Sequence, residues 1–309
     1  MKIIALTQNL SAQARFIGGI FILIIANVCF SSKAVIIKLM YREGVDTMSV
    51  IALRMLLSVP FYIIIAILLS RRADNVRLTW RQWLAVSGLG ILSYYVSSML
   101  DFSGLQYVSA GVERLTLYTY PTMVLVLSAV FFKKKIKTPQ YIALVLTYAG
   151  VALAFVAERG LGEQRDIWLG GGLVATAAFT YSFFVTFTGE YVHRIGSVKF
   201  TCYAIIAATV PALIQSWLHN RLDIFHYSDN VYSLAVWMSL VATVIPTFLI
   251  VEGIRLVGAN NSGIIGAVGP ISMLFLANIY LGERISAMQI VGTAIVLSGV
   301  FLISWKGGK

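Results

Sequence analysis

Lys33 stands seventeen residues into a largely apolar run that opens near residue 16, with Asn27 and Ser31 on neighbouring turns at helical spacing. If that run crosses a membrane, an ammonium at such depth costs on the order of 2.5–3.5 kcal/mol on insertion scales, a penalty rarely kept without a use. Two chemistries fit. The amine either binds an anion or takes part in proton coupling at a cavity, or it partners a buried carboxylate or the carbonyls of a broken helix.

A second polar set lies in the run from 82 to 107, where Tyr94, Ser97, Ser98 and Asp101 recur at three- and four-residue spacing and mark one inward face of a helix. Asp101 is a candidate proton carrier or a site for a substrate ammonium. Its structural alternative is a salt bridge to Arg54, at similar depth in the preceding run, and that alternative is slightly favoured. Glu113 and Arg114 open the next run, where mutual pairing or a gate is expected near the outer surface. Tyr118 and Tyr120 follow just before Pro121, whose missing N–H and ring clash should loosen the helix in mid-membrane. Gly263, Gly266 and Gly269 precede Pro270 in a matching place, so these two weakened helices mark a hinge or binding site, or else close helix packing. Pro246 is a further candidate hinge. Glu252 is a possible coupling carboxylate, with pairing to Arg255 three residues on as its alternative. Tyr181 joins Tyr94, Tyr118 and Tyr120 as a deep aromatic cavity candidate, whereas Trp80, Trp83, Trp168, Trp217, Trp237 and Trp305 flank runs as interface anchors.

What positions these residues is a membrane. With 59% hydrophobic and 12% charged residues over 309 positions, the chain has too little polar surface to coat a soluble globule. It divides into ten apolar runs near 16–40, 47–70, 82–107, 112–132, 138–157, 168–190, 199–218, 232–254, 262–281 and 286–305, each about the 20 residues a spanning helix needs. One membrane domain, residues 1–309, is expected, all-α and with ten transmembrane helices. Thr138-Pro139 reads as an N-cap with proline at the first helical position, and Ser286 with Gln289 as a capping box. The first fifteen residues lack the features of a signal peptide, so the first run is expected to stay in the mature protein.

The formal charge of +11 does not indicate nucleic acid, because the positive residues alternate between loops. Fifteen Lys/Arg fall on the N-terminal side and five on the other, which places both termini in the cytoplasm. Cys29 and Cys202 lie in apolar runs without metal or disulfide spacing, and His193, His219 and His226 form no cluster with carboxylates. No metal site or cofactor is expected. A Gly-x-Ser-x-Gly motif, paired catalytic carboxylates and a nucleotide-binding glycine loop are all missing, which argues against an enzyme and against intrinsic ATP drive.

Sliding the chain against itself by 149 residues superposes Gly104, Val108, Ala110, Pro121, Leu125, Leu127, Ile136, Gln140, Gly150, Val151 and Leu153 on identical residues, eleven in fifty-three positions without a gap. Phe30-Ser31 falls on Phe179-Thr180. A repeat unit of five helices, 16–157 and 168–305, makes the second copy cross the membrane in the opposite sense. Inverted halves meeting at the midplane are the geometry of alternating access.

The stretch from Leu256 to Ile303, with Ala259, Pro270, Gly282-Glu283, Gln289, Gly292 and Gly299, resembles the second repeat of EamA-type transporters of the drug/metabolite transporter superfamily, and 104–156 resembles the first. The resemblance implies ten helices, cytoplasmic termini, a bacterial-type inner (plasma) membrane, a central cavity between the repeats, and often export of amino acids or related metabolites. Arg54 matches an arginine that recurs in helix 2 of that family, which favours a structural or gating pair for it. The sequence departs at Lys133-Lys134, which replaces the Gly-Glu of the second repeat. The expected function is therefore secondary transport, with export favoured, of a small polar solute across a lipid bilayer, compatible with a monomer. Lys33 and the tyrosines suit a solute bearing a carboxylate or phosphate. A multidrug or cationic-compound efflux carrier is the second reading, disfavoured by Lys33 unless its charge is neutralised.

Overall fold

The computed structural model describes residues 2–71, 78–159, 166–220 and 224–306, and among them there are helices, turns and bends but no strand. The loop charges Arg72, Arg77, Glu163, Arg165, Arg221, Asp223 and Lys309 lie outside the described residues. The helices are α1 Lys2–Arg42, α2 Thr47–Ser70, and α3, built of Trp80–Gly90, Ile91–Ser97 and Ser98–Gly104. Next come α4, in two pieces Ala110–Leu117 and Tyr120–Phe132, α5 Thr138–Arg159, α6 Ile167–Ile195 and α7 Ser197–Asn220. The last three are α8, of Asp229–Ser239, Leu240–Val244 and Ile245–Val257, then α9, of Ala259–Ile265, Val268–Leu276 and Ala277–Leu281, and finally α10 Ala287–Lys306. Among the described residues nine of these helices are long and apolar enough to cross a membrane, and α10 adds the shorter apolar stretch Ala287–Leu302. Large apolar side chains such as Val130, Val145, Leu218 and Ile279 point away from the protein, as a lipid solvent requires.

Several local departures from regular helix recur at the 149-residue offset or within one residue of it. The wide, π-type turns of α3 begin at Ile91 and those of α8 at Leu240. In α4 the helix breaks at Tyr118-Thr119, and in α9 at Gly266-Ala267, in each case just ahead of the proline, which then sits in the first turn of the second piece, where no intrahelical N–H bond is lost. Pro246 stands in the same relation to the wide turn of α8. Lys133 ends α4 with φ 53° and Gly282 ends α9 with φ 72°, so one left-handed C-cap is met by glycine in one half and by a strained lysine in the other. The paired glutamines have one task. Gln289 accepts from the Ser286 N–H at 3.1 Å while Ser286 Oγ accepts from the Gln289 N–H, and Gln140 accepts from the N–H of Lys137 at 2.8 Å. The box at Ser286 thus forms as its spacing suggested, whereas Thr138 is the first helical residue rather than the cap.

Helix packing also exchanges between halves. α1 packs on α8 and α9, as α6 packs on α3 and α4, and α2 packs on α8 as α7 does on α3. The pairs α2 with α7, α4 with α9 and α5 with α10 map onto themselves. The α5–α10 seam is built on small residues, where lipid supplies no hydrophobic drive and close backbone approach does the work. A Cβ on Gly150 would lie 2.6 Å from the Gly292 carbonyl oxygen, and one on Gly292 would lie 2.8 Å from that of Gly150. Backbone cannot yield as a flexible side chain does, so Gly150→Leu is expected to destabilise the protein by at least the ~1–3 kcal/mol of an overpacked core. Thermal melting of the purified variant checks this, and an unchanged transition would mean the seam is looser than drawn.

Candidate functional site

Five ionisable side chains from α1 to α4 are brought together and buried: Lys33, Arg54, Asp101, Glu113 and Arg114. Lys33 Nζ donates to Asp101 Oδ2 at 2.9 Å, with side-chain exposures of 9% and 5%. This corrects the expectation that Asp101 pairs with Arg54. Arg54 instead donates from Nη2 to Ser98 Oγ at 3.0 Å and to the Tyr94 carbonyl at 3.1 Å, the carbonyl lying within the wide turns of α3. Asp101 is one turn beyond Ser98, so Lys33, approaching from α1, reaches it first.

A second expectation, that Glu113 and Arg114 pair with each other, is corrected: neither Glu113 oxygen has a hydrogen-bond partner, and the two residues are 1% and 6% exposed. The reason is that α4 starts at Ala110 beneath the end of α3, with both its first turns covered by α6, α5 and α9. Neither Glu113 oxygen nor Asp101 Oδ1, all buried, accepts a hydrogen bond. The Arg114 Nε is likewise buried without a partner. Its guanidinium lies 5.2 Å from the Phe30 ring centroid and 5.7 Å from that of Tyr118, and its Nη2 faces Gly269, where a Cβ would come within 3.0 Å.

Two phenyl rings also face the cations. Phe30 is shared by Lys33 and Arg114, and Phe102, wholly buried, by Lys33 at 5.3 Å and Arg54 at 4.9 Å. The second half touches this cluster at its broken helix: Ser31 Oγ donates to the Gly269 carbonyl at 2.9 Å, and the Tyr118 hydroxyl donates to that of Gly266. Backbone carbonyls at the break of α9 and in the turn after it thus also accept from α1 and α4. Beyond Tyr118 runs an aromatic series through Tyr120, Tyr181, Phe184 and Tyr94, edge-to-face except for the stacked Tyr181–Phe184 pair.

Not every candidate joins the cluster. The Asn27 amide donates to the Leu23 carbonyl of its own helix at 2.8 Å, and Ser97 Oγ to the Ala177 carbonyl at 2.9 Å. Glu252 lies on an exposed surface near the end of α8, paired to Arg255 through two hydrogen bonds of 2.8 and 2.5 Å. Pro246 is buried in α8.

A second polar network, at the far ends of α1 and α9, joins residues that no local spacing in the sequence links. Lys38 Nζ donates to Glu283 Oε1 at 2.9 Å, and the Glu283 carboxylate also accepts from the Ala110 N–H at the start of α4. Next to it Glu158 of α5 accepts from the N–H of Ser109 at 2.5 Å and from its hydroxyl. Arg42 donates to the Leu281 carbonyl at 2.6 Å. Asp46, in the connection to α2, is half-buried, and although burial opposes its charge, the Ser49 hydroxyl and the Ser49 and Met48 N–H groups hold its carboxyl below the usual range. Glu283 ties α1, α4 and α9 together, so Glu283→Gln is expected to loosen that end. The measurement is thiol labelling of a cysteine placed at Ala110, faster by severalfold in the variant; equal rates would show that the tie holds nothing closed.

Comparison with known proteins gives the same architecture a family. The EamA-like transporter family matches this chain twice, over residues 17–156 and 168–305. The chain belongs to that family. It is 29% identical over 299 residues, 94% of this chain and 95% of the other, to the Bacillus subtilis (strain 168) protein named Uncharacterized transporter YcbK. It is 20% identical over 325 residues to the WAT1-related protein At5g13670 of Arabidopsis thaliana, across 94% of this chain and 85% of that one. A solved structure, described as a crystal structure of a protein, shares the fold with a TM-score of 0.64 at 15% identity, covering 92% of this chain and 96% of its own. As a member of the EamA-like family, within the drug/metabolite transporter superfamily, the chain is a multi-pass membrane transporter rather than an enzyme.

Proposed function

We propose that this EamA-like protein is a secondary carrier that exports a small polar metabolite, with an amino acid as the favoured class, by alternating access. Its two inverted five-helix halves sit in the inner (plasma) membrane as one domain with both termini cytoplasmic, and a solute occupies the junction of α1, α3, α4 and α9. The observation that carries the reading is Arg114, a buried guanidinium whose Nε has no partner, at the matched breaks of α4 and α9. A desolvated donor of this kind is costly to leave unmet, and a solute carboxylate satisfies it with charge-assisted hydrogen bonds. Lys33 is already met by Asp101, so its role is to hold that carboxylate rather than to seize the solute. The tyrosines Tyr118, Tyr120 and Tyr181 supply a wall for an apolar body.

Net charge weighs against the second reading, efflux of cationic drugs. Three buried cations face two carboxyls, and a site that is positive repels a permanent cation. Exchange of halves in the packing supports alternating access, because two near-equivalent arrangements then exist, one open to each side. The test is uptake by proteoliposomes of labelled amino acids, organic phosphates and cationic dyes, with and without a pH gradient. Saturable flux of an anionic or zwitterionic solute is expected; flux confined to the dyes overturns the reading.

A further inference from the structure

We infer that the groove between α2 and α7 on the membrane-facing surface binds one anionic phospholipid, with an acyl chain lying along the groove and the phosphate held by Arg71. The groove encloses about 410 Å³, within the ~300–1,000 Å³ of small-molecule sites. One wall is a stripe of α2, made of Ile63, Ala66, Ile67 and Ser70 at the three- and four-residue spacing of a single helix face, and the other is Tyr203 and Ile206 of α7. Ile63 and Ile67 are 41% and 47% exposed, so the groove opens toward lipid, and Ala66, 6% exposed, forms its floor. At 1.5 Å per residue the stripe rises about 10 Å from Ile63 to Ser70, roughly two thirds of the ~15 Å of hydrocarbon in one leaflet.

Polar groups gather at one end of this apolar slot. Ser70 Oγ and the Tyr203 hydroxyl are 2.9 Å apart, the Tyr203 ring stands 4.5 Å from that of Trp83 between centroids, and Lys199 Nζ lies 5.6 Å from it on the same helix. Tyr203 is thus held from three sides, and Arg71, exposed, follows Ser70 at the mouth as the C-cap of α2. Apolar slot, aromatic belt, then cation is the order in which a phospholipid presents its chain, its glycerol region and its phosphate. Two cations at the mouth also discriminate: an anionic headgroup is attracted, whereas a zwitterionic one brings an ammonium of its own that they repel. A guanidinium fork suits the paired oxygens of a phosphodiester. The repeat sets the slot apart, because the 149-residue offset puts Gln215 where Ala66 stands, and Gln215 accepts from the Tyr95 hydroxyl, so the small floor residue belongs to one end of this helix pair. Since α2 comes from the first half of the chain and α7 from the second, a lipid seated here bridges the halves. That its leaflet is the cytoplasmic one rests on the topology proposed above; the groove and its headgroup chemistry do not.

The test uses the full-length protein in phosphatidylcholine nanodiscs that contain a small, equal fraction of either phosphatidylglycerol or phosphatidylcholine brominated near the top of the acyl chains. Quenching of Trp83, taken as the difference between wild type and Trp83→Phe, reports lipid in the groove. Phosphatidylglycerol is expected to reach half-maximal quenching at about fivefold lower fraction than phosphatidylcholine, the effect of roughly one basic side chain at an anionic headgroup. Arg71→Gln, a change at an exposed position, is expected to remove that preference, and Ala66→Phe, which fills the slot without altering charge, to reduce quenching by both lipids. Equal quenching by the two lipids in the wild type overturns the proposal, as does a preference kept in Arg71→Gln or quenching undiminished in folded Ala66→Phe. Should Ala66→Phe fail to fold, Arg71→Gln alone decides. The two leaflets of a nanodisc are alike and no solute is present, so neither the topology nor the carrier reading bears on the result.

Discussion

Lys33→Met is expected to lose about 3–5 kcal/mol of stability, the range for breaking a buried ion pair by removing one partner. The ammonium meets Asp101 at 2.9 Å, and it also lies over Phe30 and Phe102, so its loss leaves a buried carboxylate without its partner. Adding Asp101→Leu removes the stranded acid, and since apolar replacement of a whole buried pair is often neutral, the double variant is expected to regain most of the stability. Transport is not expected to return with it, because the carboxylate that Lys33 positions is gone. Thermal melting and proteoliposome flux of the two single variants and the double one separate these effects. A double variant as unstable as Lys33→Met would show that the pair is not what Lys33 contributes, and a stable double variant that transports would make both residues purely structural.

How far the sequence spoke of this site depended on how local each signal was. Breaks in α4 and α9 were legible because proline acts on its own turn, and the 149-residue offset was legible because glycines at seams such as Gly150 tolerate no side chain. Boundaries were less so: α1 extends to Lys2, well before its apolar run begins, since nothing in the sequence there stops a helix. Pairing of charges was least legible. Arg54 and Asp101 lie at similar depth, but the wide turns of α3 direct a carbonyl and Ser98 at Arg54, and depth alone does not reveal such a turn. Glu113 and Arg114 are neighbours in the chain, yet both are buried and neither Glu113 oxygen has a hydrogen-bond partner. Glu283 and Lys38 were separable in sequence by 245 positions and meet only because α9 packs on α1.

Arg114→Ala is expected to weaken solute binding about 10- to 100-fold, the loss of a charge-assisted hydrogen bond worth roughly 1.5–3 kcal/mol. Stability should behave differently. In the solute-free protein the Nε makes no hydrogen bond, so truncation removes a buried, unmet donor along with the stacking on Phe30 and Tyr118, and these act in opposite directions. The expected melting shift is therefore small beside that of Lys33→Met. Arg114→Lys is the sharper variant, because it keeps the charge but gives up the planar fork that holds a carboxylate by two parallel bonds. If charge alone attracts the solute, lysine restores flux; if the fork positions it, lysine resembles alanine in affinity. A normal apparent affinity in Arg114→Ala, with folded protein and saturable flux, would place the solute elsewhere and leave this guanidinium as a counter-charge to Glu113.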